Sequence, residues 1–408
     1  QISSARTKVS FNLGVLVAFV VATFIVVGFR FQELPFGSVK TNAAGKSEYV
    51  WGPIRGASSN DGFVDGWARW NFTGYEGKSA YGEYHDVVAT MKSLGADPSQ
   101  GCGRAVWENN GELNKYGTTM GLMLLPFWTD GCIGSMEGLF FEAAGTTPYH
   151  FITAAAMSKQ SSNPVRELRY DNNDAAKGVA YMRALGVKYF MGFTPEAVTA
   201  ASAQPGLVKV AQSGPWVIFR VTESDLVVPL SVQPVVVSMA SGDPRERWLE
   251  IGTSWFQHAD EWAALPADAG PQEWQHIDAK IDLTRREGEP GTSGRRVDIV
   301  TPSQAIEPVA LPPVVVSNVE MGQSDVSFSV DKIGVPVLVR VSYFPNWKVD
   351  GATGPFRVAP NMMVVIPTSN TVKLHYGSTS LDYMAYLLTF IGIGLLVRRR
   401  RRMRREFQ

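Results

Sequence analysis

A chain that begins and ends on an apolar run is constrained before any of its interior is read. Residues 11–29 carry no charge, and their number is close to the roughly 20 a helix needs to cross a 30 Å hydrocarbon core. Residues 383–397 form a second, shorter apolar run. It spans if Asp382 sits among the headgroups and Arg398 extends along its apolar stem. Seven arginines follow within 398–405. Translocating such a cluster is unfavourable, and cytoplasmic flanks collect Lys and Arg. The C-terminus is therefore expected in the cytoplasm. Two spans put the N-terminus there too, in agreement with Arg6 and Lys8, and leave residues 30–380 outside the plasma membrane.

The first run is long for a signal peptide, and Arg30-Phe31-Gln32-Glu33 replaces the small-x-small cleavage site that should follow one. A retained helix is the expectation. Because the chain opens on Gln1, it reads as the C-terminal piece of a longer, polytopic protein.

The formal net charge of zero hides a partition. Residues 398–408 carry +6 and residues 1–8 carry +2, which leaves 29 basic against 37 acidic residues between them. A mildly acidic exterior argues against nucleic acid as a partner, since that binding needs a basic face. Directly after an apolar run, the arginine cluster is better read as a topology anchor than as a nuclear signal.

Both cysteines, Cys102 and Cys132, fall in the exterior segment beside glycines. An oxidising compartment favours a disulfide between them; the alternative is two buried thiols. With no matching histidines they do not suggest zinc, and no metal ligand set is evident.

The expected fold is an α+β exterior region, a mixed α/β unit followed by a β-sandwich, flanked by one transmembrane helix at each end. The boundaries are 9–29 for the first helix, 30–80 for an irregular lead-in, 81–224 for the α/β unit, 225–378 for the β-rich part, 381–397 for the last helix and 398–408 for the tail. Helices are expected at 84–94, 172–185 (capped by Asp174 and stopped by Gly186) and 195–203. Strands are expected at 104–107, 188–193, 207–211 and 216–221. Beyond Asp225 one helix, 245–262, interrupts short strands at 309–316, 326–330, 335–343, 356–358, 362–366 and 372–376. Residues 285–296 read as an exposed loop.

The stretch 101–151 is richest in chemistry. It interleaves Trp107, Glu108, Glu112, Trp128, Asp130, Glu137, Glu142, Tyr149 and His150. Aromatic faces stack on pyranose rings and carboxylates bind hydroxyls, so these residues are candidates for a sugar-facing surface. A carboxylate pair could also act at a glycosidic bond. The structural alternative makes the tryptophans core and the carboxylates solvated. His-Glu-x-x-His, Gly-x-Ser-x-Gly, P-loop and dinucleotide motifs do not occur. His85-Asp86 reads as a surface pair on a helix.

Three stretches carry a family likeness: Ala184-Leu185-Gly186-Val187-Lys188-Tyr189-Phe190, then Val341-Ser342-Tyr343-Phe344-Pro345-Asn346-Trp347-Lys348-Val349, and Val372-Lys373-Leu374-His375-Tyr376 before the last apolar run. With the block 125–151 they resemble the exterior C-terminal region of YfhO-like membrane proteins of the GT-C glycosyltransferase superfamily. The block 125–151 looks especially like the actinobacterial branch labelled 6-pyruvoyl-tetrahydropterin-synthase-related. The resemblance implies transfer of a sugar from a polyprenyl-phosphate carrier to a cell-envelope glycan acceptor. It also implies a catalytic carboxylate in an upstream multi-helix core, so no catalytic residue is carried over to this chain. No cofactor is evident here, and any divalent cation belongs to that implied core. Three functions are then in play: the acceptor-shaping exterior part of such a transferase, a non-enzymatic ectodomain binding envelope polysaccharide or protein, and a free-standing hydrolase.

Overall fold

The computed structural model describes residues 13–58, 68–137, 144–238, 242–288 and 294–406. Glu142, Arg6, Lys8 and part of the 285–296 loop lie outside the described residues. The chain divides into two compact units, Gln1–Gly82 with Asn114–Thr118, and Glu83–Leu113 with Thr119–Gln408.

The first unit opens with α1 (Leu13–Phe31), an apolar helix with no buried residue. A three-stranded antiparallel meander follows: β1 (Ser38–Thr41), β2 (Ser47–Trp51) and β3 (Ile54–Ala57). The lead-in segment was expected to be irregular, and these strands correct that reading. They have only four or five residues each, and Tyr49 is the one side chain in them that is buried, so no apolar alternation marks them. Tyr49 fastens the end of α1 to the meander. Its hydroxyl accepts from the Leu34 amide at 2.9 Å, and its ring meets Phe29 edge-on at 5.4 Å. A single helical turn, α2 (Arg69–Phe72), carries Trp70, over which the Lys78 ammonium sits at 4.2 Å.

The second unit begins within the first turn of α3 (Tyr81–Ala96), which buries Tyr84, Val87, Met91 and Leu94 at helical spacing. Then come β4 (Gly103–Trp107), the single turn α4 (Leu125–Trp128), β5 (Ile133–Ser135), α5 (Thr147–Ala156), α6 (Ala175–Ala184), β6 (Val187–Gly192), α7 (Pro195–Ser202), β7 (Leu207–Ser213) and β8 (Trp216–Val221). The strands form one mixed sheet in the order β5-β4-β6-β8-β7, parallel through β6 and antiparallel beyond it. Local chemistry sets these elements. Asp174 accepts from the Lys177 amide to cap α6, and Gly186 at φ +64° ends it with β6 beginning one residue later. A Cβ at Gly178 would lie 2.2 Å from the Met157 sulfur, so α5 and α6 approach closely only because that position is glycine.

The remainder contributes β9 (Val227–Pro229), β10 (Val235–Ser238), α8 (Pro244–Gln257), β11 (Pro266–Ala267), β12 (His276–Ile281), β13 (Val300–Pro302), β14 (Val316–Met321), β15 (Asp325–Val330), β16 (Val337–Val339), β17 (Trp347–Asp350), β18 (Ala352–Val358), β19 (Met362–Pro367), β20 (Thr371–Tyr376) and α9 (Ser380–Glu406). An eight-stranded sheet runs β13-β12-β10-β11-β18-β19-β16-β9, and a four-stranded sheet runs β14-β15-β20-β17. The two share an apolar layer of Val337, Val339, Met363 and Val365 against Val326, Phe328, Val330, Val372 and Leu374. The alternate residues Leu338, Met362 and Val364 enter another core cluster with Phe190, Phe219, Met182 and Phe256. The continuous apolar run 362–365 is thus buried on both faces. Core packing continues across the 224/225 boundary drawn from the sequence.

Three expected elements differ. No strand forms over 309–315; Pro312 and Pro313 lack the amide hydrogens a ladder needs, and β14 starts only at Val316. The expected strand 335–343 shrinks to Val337–Val339, between Pro336 and the turn-rich stretch around Pro345. The helix expected to reach Trp262 ends at Gln257 and is followed by a 3₁₀ turn. Both α1 and α9 are long and apolar enough to cross a membrane, by length and composition.

Candidate functional site

Residues 101–151 begin with a covalent clasp. Cys102 and Cys132 form a disulfide across 30 residues, joining the start of β4 to the residue before β5. The chain between them carries Trp107, Glu108, Glu112, Trp128 and Asp130, while Glu137, Tyr149 and His150 follow it, and the structure separates these candidates into three groups.

The first group is interior. Trp107, at the end of β4, is 1% exposed, and Glu108 beside it is fully buried. The Glu108 carboxylate has its partners already. Its Oε2 accepts from the amides of Phe193 and Thr194 at 2.9 and 2.7 Å, and its Oε1 accepts from the Thr194 hydroxyl at 2.7 Å. Thr194 is the N-cap of α7, so a buried anion sits at the positive end of that helix. Tyr149, on α5, is buried edge-on against Phe256 at 5.3 Å, and burial raises its hydroxyl pKa.

The second group is the pair Glu137 and His150, from the turn after β5 and from α5. Both are nearly fully buried, and Glu137 Oε1 lies 4.0 Å from His150 Nε2. Neither Glu137 Oε2 nor His150 Nε2 has a hydrogen-bond partner among the described residues. The separation is within the range of an ion pair, but burial opposes charge on both. It pushes the Glu137 carboxyl up to about 7 and the His150 ring down to about 4. Burial thus favours the neutral form of both groups at this contact.

The third group is at the surface. Glu112 is exposed on a 3₁₀ turn. Phe127 is 69% exposed and meets Trp128 edge-on at 4.7 Å. The Trp128 indole donates to the Tyr84 hydroxyl at 3.0 Å, and that hydroxyl donates to the Gly121 carbonyl at 2.9 Å, so the ring is held in one orientation. Asp130 follows in a left-handed turn (φ +53°), with its carboxylate 3.7 Å from the Lys92 ammonium. Phe127, Trp128 and Asp130 therefore place one exposed ring, one half-buried ring and a solvated carboxylate within four residues, groups able to stack on a flat apolar face and to accept hydrogen bonds.

Two further constellations were not apparent in the sequence. Asp298, 1% exposed, accepts from Arg286 through both carboxylate oxygens at 3.1 Å and also pairs with Arg295. Burial, and then the Asp298 charge, push the nearby Glu250 carboxyl up to about 7. This cluster corrects the reading of 285–296 as simply exposed: two of its arginines neutralise an interior aspartate. Charge-rich sequence with glycine does not reveal an inward carboxylate two residues further on. The second constellation centres on Asn361, 2% exposed. It accepts from Arg357 at 2.8 Å and donates to the Ser342 hydroxyl and the Tyr343 carbonyl at 3.1 and 3.3 Å. It braces the start of the 341–349 stretch, whose later Asn346 reaches α9. No group of three His, Cys, Asp or Glu side chains suited to a metal ion occurs among the described residues.

Comparison with protein-family models, with curated proteins and with solved structures returned no match.

Proposed function

We propose that this chain is the extracytoplasmic, acceptor-shaping part of a membrane glycosyltransferase, which uses a polyprenyl-phosphate-linked sugar and an envelope glycan. In this reading α1 and α9 cross the plasma membrane, the arginine run stays in the cytoplasm, and the disulfide belongs to the oxidising side. The observation that carries the acceptor role is the exposed Phe127 ring against the half-buried Trp128, beside Asp130. The ring orientation is fixed in advance by hydrogen bonding, so little ordering cost remains when a pyranose stacks on it. The buried Glu108 serves α7, which supports specificity rather than bond cleavage as this part's contribution.

The purified full chain in detergent, titrated with envelope oligosaccharides, tests the acceptor role. Binding should shift the Phe127 and Trp128 resonances, and Trp128→Ala should weaken it by about two- to tenfold, in keeping with a stacking contribution of about 0.5–1.5 kcal/mol. Equal affinity in Trp128→Ala would remove this surface from the function. A second reading, a non-enzymatic ectodomain, is favoured by the structural engagement of Glu108. Oligosaccharide binding by membranes that never incorporate sugar from a polyprenyl-phosphate donor would select it.

A further inference from the structure

The end of the four-stranded sheet nearest α9 displays aromatic and apolar side chains that the acceptor reading does not use. Tyr376 closes β20. Phe344 stacks on its ring at a centroid distance of 6.0 Å, and Trp347 meets it edge-on at 5.6 Å. Phe344 and Tyr376 are 48% and 45% exposed. The Tyr376 amide donates to the Ser324 carbonyl at 2.8 Å, which brings the β14–β15 turn alongside, and Met321 precedes that turn with 60% of its surface exposed. Lys348 is exposed one residue beyond Trp347.

This end is fixed to the head of α9. Asn346 donates to the Gly377 carbonyl at 2.8 Å and to the Asp382 carboxylate at 3.2 Å. That carboxylate also accepts from the Thr379 amide and hydroxyl at 2.7 and 2.8 Å, a capping arrangement that starts the helix. Four residue steps separate Tyr376 from Ser380, so their Cα atoms lie within about 14 Å even if the link is extended. Immediately beyond, Leu381, Tyr383, Met384 and Tyr386 are exposed on α9. Apolar surface therefore runs from the sheet end into the helix, with tyrosines on both sides of the junction.

We infer that Met321, Phe344 and Tyr376, backed by the half-buried Trp347, form a lipid-contact surface, seated in the headgroup region of the bilayer that α9 enters. Aromatic rings with a polar edge are at their most favourable at that depth, and the exposed Lys348 lies at the same end of the sheet, on the face opposite Trp347 and Tyr376. The inference rests on the reading that α9 spans the membrane. Its effect is to fix the tilt of the sheet over the membrane, since a helix alone leaves the attached unit free to swing.

The test uses the full chain in vesicles of phosphatidylethanolamine and phosphatidylglycerol. Because Cys102 and Cys132 are bridged, Phe344→Cys gives a single thiol for an environment-sensitive fluorophore. Ile333→Cys, exposed at the opposite end of β15, gives the reference. Phe344 is half exposed, so its replacement leaves the core intact, and an unchanged protease-resistant fragment checks this. The label at 344 should emit at shorter wavelength and be quenched several-fold more by lipids brominated high on the acyl chain than the label at 333. No quenching at 344, equal quenching at both sites, or a label at 344 shielded from water without lipid quenching would each overturn the surface. Spanning is read separately, by protease attack on the arginine run in intact and lysed vesicles. Protection of that run in intact vesicles without quenching at 344 refutes the surface and leaves the span; equal digestion in both refutes the span itself.

Discussion

The Glu108 carboxylate and the Thr194 backbone amide meet at 2.7 Å, at the junction between β4 and the first turn of α7. Two backbone amides and one hydroxyl converge on this single fully buried anion. Removing the acceptor would strand those donors away from water, at about 1–3 kcal/mol for each unsatisfied group. Glu108→Ala is expected to destabilise the protein by roughly 3 kcal/mol or more, and Glu108→Gln by less. Urea unfolding of both variants measures this, and a loss below about 1 kcal/mol for the alanine would contradict the assigned role.

Glu137 and His150 should leave opposite marks on the pH dependence of stability. Glu137 is raised from 4.5 to about 7, so the folded state holds its proton longer and stability falls as pH rises through that window. His150 is lowered from 6.5 to about 4, so stability falls as pH drops through its own window. Between 4.5 and 6.5 the two largely cancel; above 6.5 the glutamate acts alone. Glu137→Gln should therefore be more stable than the parent above pH 7, by up to about 3 kcal/mol, and should lose that advantage near pH 4.5. Thermal unfolding across this range checks it, and a pH-independent difference would refute the shift.

Much of the fold was legible where one local signal had one physical meaning. Asp174, the apolar stripe of α6 and Gly186 mark a helix with its start and stop, and the structure has all three. The run Met362–Ile366 reads as a strand, but its burial on both faces depends on what packs against it, which no local pattern contains. β1, β2 and β3 were hidden because they bury only Tyr49, and 309–315 was misleading because its valines suit a strand that its prolines forbid. For the site, residue type alone could not distinguish Trp107, packed in the interior, from Trp128, held partly in the open. The Glu137–His150 contact depends on the turn after β5 and a helix twelve residues downstream meeting in three dimensions.

The disulfide closes a segment separated by 30 residues. On the chain-entropy account, its removal in the Cys102→Ser/Cys132→Ser double variant should cost about 3–4 kcal/mol. Differential scanning calorimetry under non-reducing conditions measures this. An unchanged midpoint would mean that the reduced chain is already restrained over the same residues.

Asp298 is another interior carboxylate, and Arg286 and Arg295 both turn towards it. Breaking a buried charge pair from one side typically costs about 3–5 kcal/mol. Asp298→Ala is expected in that range and should speed hydrogen exchange of the amides in β13. Stability within about 1 kcal/mol of the parent would show that the arginines find water instead.

The position of β20 has a mechanical consequence. The strand runs directly towards α9, yet it is flanked by β15 on one side and β17 on the other. Any tension arriving from the helix is met by two ladders at once, and neither can unzip from a free border. The link to α9 thus behaves as a rivet set through the middle of a plate: it transmits load into the whole sheet and yields only when both seams shear together.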